Sequence, residues 1–296
     1  MQPYTQELVD VLRVTQLEAV EGRWLYEGTC EDLGFRNLFG GQILGQSLYA
    51  ACRSIAQHFR PHALHAYFLL PGTVTAPVQY QVQQLRQGKS FATLRVDAFQ
   101  NGQMIFTQTT SFQVPEEGMQ HQRPIPAAPA PQGLTDQLEL TRKFAHLFAD
   151  RNREKYTAMR ALETRQVNPL NIFAPDKREP HKYVWYRTRE AWPADDWALP
   201  YALLAYSSDF NLVTTALLPH GVSFYTPGIQ LASLDHALWF HREPKLDDWL
   251  LYEIESPIAN GGRGLNHGFI YHKGGELLVS VAQEGLMRVR PQLEQK

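Results

Sequence analysis

A weak internal duplication constrains this chain more than any other feature, because a unit built twice has two like apolar faces to bury. In the first half a helical stretch at residues 41–59 carries Ile43, Leu44, Leu48, Ala51, Cys52 and Ile55 at helical spacing. Strand-like runs follow at 63–70, 78–85, 91–99 and 104–114. The second half repeats the order, with a helical stretch at 201–218 and strand-like runs at 230–241, 249–255, 265–272 and 276–288. His65-Ala66-Tyr67-Phe68 resembles His236-Ala237-Leu238-Trp239-Phe240, and Asn101-Gly102-Gln103 falls where Gly274-Gly275-Glu276 does.

Val78, Tyr80 and Val82 alternate with Gln79, Gln81 and Gln83, the period of a sheet with one face on a core. Asn101-Gly102 between two such runs predicts a tight hairpin. Between the halves, the run from Pro124 to Pro131 cannot be helix or central strand, because proline has no N–H donor and a fixed φ. The chain therefore divides into an N-terminal repeat at 1–114, a linker at 115–180 with a surface helix at 135–150, and a C-terminal repeat at 181–296. A helix with one apolar stripe needs a partner surface, and a twisted antiparallel sheet can curl around it. Two such units joined edge to edge predict one continuous curved sheet enclosing two helices, an α+β architecture.

With 44% hydrophobic and 20% charged residues, the 296-residue chain has the makings of a packed core. A net charge of −2 with dispersed Lys and Arg leaves no basic stripe for nucleic acid. Cys30 and Cys52 form no close pair, so they read as free thiols and propose no metal site. No secretory pattern opens the chain, no apolar run nears the length that spans a bilayer, and the C-terminal residues are no peroxisomal tripeptide. The expectation is a cytoplasmic protein that does not enter membranes.

Five strings go further than periodicity. The segments Phe39-Gly40-Gly41-Gln42-Ile43-Leu44-Gly45-Gln46, His65 to Gly72, Ser208-Asp209-Phe210-Asn211, Leu234 to His241 and Gln283 to Arg288 resemble, in order, those of the acyl-CoA thioesterase II family. The resemblance implies a double-hotdog fold and hydrolysis of fatty acyl-CoA to free acid and coenzyme A, with no metal and no organic cofactor. It implies a homodimer or homotetramer, and it assigns an acid, a hydroxyl and an amide around the attacking water to Asp209, Ser233 and Gln283. Ser233 departs mildly, because many relatives carry Thr there.

Thioester hydrolysis needs a water aimed at the carbonyl carbon, an acceptor for its proton and donors for the oxyanion. Asp209 is the candidate acceptor, with Ser233 and Gln283 able to orient the water. Gly40 and Gly41, at the start of the first helix, are candidates for substrate binding through unpaired backbone N–H groups; the alternative is that they only permit tight packing. His65 is a further candidate for substrate contact, or else a structural histidine matching His236. By residue type alone, Asp209 would serve as the N-cap of an apolar helix, Ser233 as a plain strand residue and Gln283 as an exposed one. Two other functions fit the same fold: an enoyl-CoA hydratase or dehydratase, and an acyl-CoA binding protein without turnover. Against the first, Ser208 to Val213 holds no His at the spacing such hydratases show.

Overall fold

The computed structural model describes residues 3–19 and 22–290. The chain runs α1 (Pro3–Leu12), β1 (Thr15–Gln16), β2 (Trp24–Gly28), α2 (Gly40–Arg53), β3 (Arg60–Phe68), β4 (Val78–Gln87), β5 (Phe91–Gln100) and β6 (Gln103–Gln113). After the Pro-rich segment come α3 (Gln137–Lys143), α4 (Asp150–Thr157), β7 (Leu162–Gln166), β8 (His181–Thr188) and α5 (Ala198–Ser208). The remaining strands are β9 (Ile229–Ser233), β10 (Asp235–Phe240), β11 (Leu250–Asn260), β12 (Arg263–His272) and β13 (Leu277–Val289).

All the described strands join one 13-stranded sheet, in the order β1-β2-β4-β5-β6-β3-β10-β13-β12-β11-β8-β7, with β9 added beside β13. The two halves meet where β3 pairs antiparallel with β10, Leu64 opposite Leu238. Outward from that seam the order β3-β6-β5-β4-β2 is mirrored by β10-β13-β12-β11-β8. The duplication is thus a pseudo-twofold arrangement, and the seam turns two exposed edges into paired strands. The Asn101-Gly102 turn forms as the dipeptide requires, with φ of 52° and 77°, a left-handed region that Asn and Gly tolerate.

Inside the sheet's curve, α2 and α5 lie against each other. Helix α2 has no solvated face: every residue from Gly41 to Cys52 is buried, polar ones included. The buried glutamines are paired, as when the Gln42 amide donates to Thr29 O at 2.8 Å and accepts from Glu31 N at 2.9 Å. Close approach of the helices depends on Gly41, where a Cβ would sit 2.3 Å from the Tyr206 carbonyl oxygen.

Three local expectations need correction. The helical stretch at 201–218 is interrupted: α5 ends at Ser208, Asp209 caps its C-terminus, and a 3₁₀ segment resumes at Val213–His220. The break follows from Asn211, whose φ of 66° lies in the left-handed region that Asn reaches more readily than most residues. Asp209 is therefore no N-cap. The run at 230–241 divides at Leu234, because β9 pairs only with β13 while β10 fits between β13 and β3. The single surface helix at 135–150 is two short ones, α3 and α4, joined by a 3₁₀ turn at Ala145–Leu147.

The match of His65 to His236 is out of step by one residue. His236 is buried while His65 is exposed, its ring edge-on to Trp239 at 5.3 Å. In β3 and β10 the inward residues are Leu64 and Ala66, and His236 and Leu238. Because side chains alternate along a strand, a slip of one position exchanges inside for outside.

Candidate active site

The break after α5 turns the Asp209 side chain toward the neighbouring β9–β13 corner. The break between β9 and β10 leaves Ser233 at the end of β9, and Gln283 points inward from β13. The Gln283 Nε2 donates to Asp209 Oδ1 at 2.7 Å and lies 3.1 Å from Ser233 Oγ. Three side chains from separate segments are thereby brought to one point. Gln283 is fully buried, at 0% exposure, so it stands behind the other two.

Asp209 and Ser233 open onto a cleft of about 1270 Å³, walled by apolar groups that include Leu38, Ile43, Phe68 and Phe210. Gly40 also lines it. A Cβ on Gly40 would come within 2.8 Å of Asp209 Oδ2 and 3.0 Å of the Phe68 ring, so the first residue of α2 must be small for the carboxylate to sit where it does. The Gly41 N–H, in the first turn of α2, is directed at the same carboxylate. The two glycines thus lie beside Asp209, Gly40 in the cleft wall and Gly41 between carboxylate and neighbouring helix. His65 lies away from them, exposed on the opposite face of the sheet.

Burial pushes the Asp209 carboxyl above the ordinary Asp range, and donors from Gln283, the Gly41 N–H and Ser233 hold back part of that rise. A carboxylate raised toward neutrality is a better proton acceptor near neutral pH than an exposed one.

Two residues of this neighbourhood carry no signal in sequence periodicity. His236 Nδ1 lies 3.0 Å from Gln283 Nε2, and its Nε2 lies 3.0 Å from Ser208 Oγ. Lys182 on β8 donates to Thr214 Oγ1 at 2.8 Å and reaches the Asn211 carbonyl oxygen at 3.5 Å, bracing the turn that follows Asp209. The inward position of His236 could have been found by fixing the strand register, whereas the role of Lys182 depends on a turn that no pattern announced. Among the described residues no cluster of His, Cys, Asp and Glu is suited to hold a metal ion, and no helix is long and apolar enough to cross a membrane.

A family model described as acyl-CoA thioesterase matches residues 151–286, and one described as acyl-CoA thioesterase N-terminal domain matches residues 31–113. Acyl-CoA thioesterase 2 of Haemophilus influenzae is 39% identical over 95% of this chain and 98% of its own length. Human acyl-coenzyme A thioesterase 8 is 38% identical over 88% of this chain and 83% of its own. The crystal structure of an acyl-CoA thioesterase II from Mycobacterium marinum superposes with a TM-score of 0.75 at 37% identity, covering 95% of this chain and 98% of that one. Sequence across both halves, the mirrored sheet and the two enclosed helices agree, and the chain belongs to the acyl-CoA thioesterase family, whose double-hotdog fold and thioester hydrolase activity it shares.

Proposed function

We propose that the enzyme hydrolyses its acyl-CoA substrate by direct attack of a water held by Asp209 and Ser233 at the wall of the cleft, with Gln283 fixing the Asp209 carboxylate from behind. The observation that carries this reading is the Gln283 amide, 2.7 Å from the Asp209 carboxylate and 3.1 Å from the Ser233 hydroxyl. Asp209 accepts the water's proton as its oxygen bonds to the thioester carbon. Ser233 accepts from or donates to the same water and so aims it. The tetrahedral oxyanion then collapses, the C–S bond breaks, and the proton on Asp209 passes to the departing thiolate. No covalent acyl-enzyme is needed, because water is itself the nucleophile.

The Gly40 N–H, first of helix α2 and in the cleft wall, is the donor best placed for the oxyanion, where a helix N-terminus favours negative charge. In this division of labour the segment 181–296 supplies the reacting side chains, 1–114 supplies Gly40 and Gly41, and 115–180 connects them. The apolar wall accepts the acyl chain. Arg36, which lines the cleft and forms no ion pair with a described carboxylate, is available to the phosphates of coenzyme A.

A hydratase reading is disfavoured by His236: buried at 1% exposure, with both ring nitrogens within 3.0 Å of protein partners, it is not placed to exchange protons with substrate. The discriminating experiment follows free thiol release from an acyl-CoA panel with parent and Asp209→Asn proteins, beside a crotonyl-CoA hydration assay. The expected result is thiol release by the parent, a loss of about 10²–10⁴-fold in the variant, and no hydration. A folded Asp209→Asn protein working at the parent rate overturns the mechanism.

A further inference from the structure

The two protons on Gln283 Nε2 face three acceptors: Asp209 Oδ1 at 2.7 Å, His236 Nδ1 at 3.0 Å and Ser233 Oγ at 3.1 Å. Which of them receives a proton is decided one layer further back. Ser208 Oγ donates its only proton to the Ala205 carbonyl oxygen at 2.8 Å. Toward His236 Nε2, 3.0 Å away, Ser208 can therefore offer only a lone pair. The imidazole must carry its proton on Nε2, which leaves Nδ1 bare and able only to accept. A bare Nδ1 takes one Gln283 proton, the carboxylate takes the other, and the amide cannot turn over, since its oxygen would then face both a lone pair and a carboxylate oxygen. Ser233 receives neither and keeps its hydroxyl proton for Asp209 or the water.

We infer that His236 is a positioning residue of the hydrolysis: held as one neutral tautomer by Ser208, it locks the Gln283 amide so that its N–H groups point at His236 and Asp209. The inference rests on the mechanism proposed above and deepens it. Its alternative is that His236 merely fills space in the core. The arrangement is closed to solvent, with His236 at 1% exposure and Ser208 and Gln283 at 0%. Ser208 is fixed in turn, since its carbonyl oxygen accepts from Tyr252 on β11 at 2.7 Å. The titratable groups around the amide are Asp209 and His236 themselves, with Tyr252 behind Ser208 and Lys182 beyond Asn211.

Three variants in the full chain test this. His236→Leu removes the acceptor and frees the amide. His236→Asn can return a carbonyl oxygen near the position of Nδ1, and Ser208→Ala removes only the group that fixes the tautomer. The expected outcome for His236→Leu is a fall in kcat of about 10²-fold with KM within about twofold, the scale of a misplaced catalytic group. The acid limb of its kcat profile should move up by about one pH unit, because Asp209 loses a well-aligned donor. His236→Asn restores most of kcat and the limb. Ser208→Ala, the mildest change to folding, shifts both in the direction of His236→Leu, and ¹⁵N spectra of the parent show His236 protonated on Nε2.

A folded His236→Leu protein with parental kcat and acid limb overturns the inference, as does a parent spectrum with the proton on Nδ1. An Asn variant as impaired as Leu, with the limb unmoved in both, assigns His236 to packing and also overturns it. Asp209→Asn runs alongside: inactivity there with parental His236→Leu fails this inference alone, whereas activity there fails the mechanism beneath it.

Discussion

Gln283 and Asp209 lie 74 positions apart in the chain, yet the Gln283 amide nitrogen is 2.7 Å from the Asp209 carboxylate. That contact crosses from a strand of the sheet to the end of a helix inside its curve, so it exists only once sheet and helix have packed. It also sets a balance. The amide helps to keep ionised a carboxyl that its burial would otherwise neutralise.

The first prediction concerns stability. Because the folded-state pKa of Asp209 is raised, its contribution is favourable below the unfolded value of about 3.9 and is lost as pH rises through the folded value. At neutral pH the charged carboxylate is a cost. Asp209→Asn should therefore gain on the order of 1 kcal/mol in urea unfolding at pH 7 while losing activity. A variant less stable than the parent at pH 7 and equally stable at pH 4 would contradict the assignment of that cost.

A second prediction separates the hydroxyl from the rest of the Ser233 side chain. Ser233→Ala loses one hydrogen bond to a charged group or its bound water, about 1.5–3 kcal/mol, which lowers kcat by about 10- to 100-fold. Ser233→Thr keeps the hydroxyl and should stay within about threefold of the parent, since one tenfold step needs about 1.4 kcal/mol. Steady-state thiol release on a single acyl-CoA measures both.

The two glycines of α2 should respond differently. Gly41→Ala places a Cβ 2.3 Å from the Tyr206 carbonyl oxygen, which is backbone and cannot swing aside, so α2 and α5 must separate at a cost of about 1–3 kcal/mol or more. Gly40→Ala instead meets Asp209 Oδ2 at 2.8 Å, and its effect should fall on kcat more than on the urea midpoint. Chemical denaturation read beside kinetics distinguishes the two.

Acid should weaken the fold through His236. Burial pushes this imidazole down to about 3, below its ordinary value of 6.5. A depressed pKa means that the unfolded chain takes up a proton that the folded one refuses. The stability tied to its neutral form is therefore complete above about pH 6.5 and is lost toward pH 3, at up to about 1.4 kcal/mol per pH unit. His236→Asn should flatten the urea midpoint over that window relative to the parent.

His65 provides the contrast. Exposed on the outer face against Trp239, it should tolerate substitution. His65→Ala is expected to leave kcat and KM within about twofold and stability within about 1 kcal/mol, the worth of an exposed aromatic contact. A larger loss of activity would restore His65 to the site.

The sequence by itself determined the repeat, the hairpin at Asn101-Gly102, the order of helix and strands in each half and, by resemblance, the family. These follow from local rules: hydrophobic period, turn chemistry and proline placement act over a few residues and can be read from one segment at a time. Tertiary structure alone decided the rest. The end of α5 at Ser208, the split of the strand run at Leu234 and the opposite facing of His65 and His236 all depend on which strand pairs with which and in what register. A one-residue slip is invisible to composition yet moves a side chain from core to solvent. The contact of Gln283 with Asp209 depends on the packing of sheet against helix, and the placing of His236 between Gln283 and Ser208 on the pairing of β10 with β13. A hydrogen-bond network of that kind is fixed by directions and distances in space, which no spacing along the chain encodes.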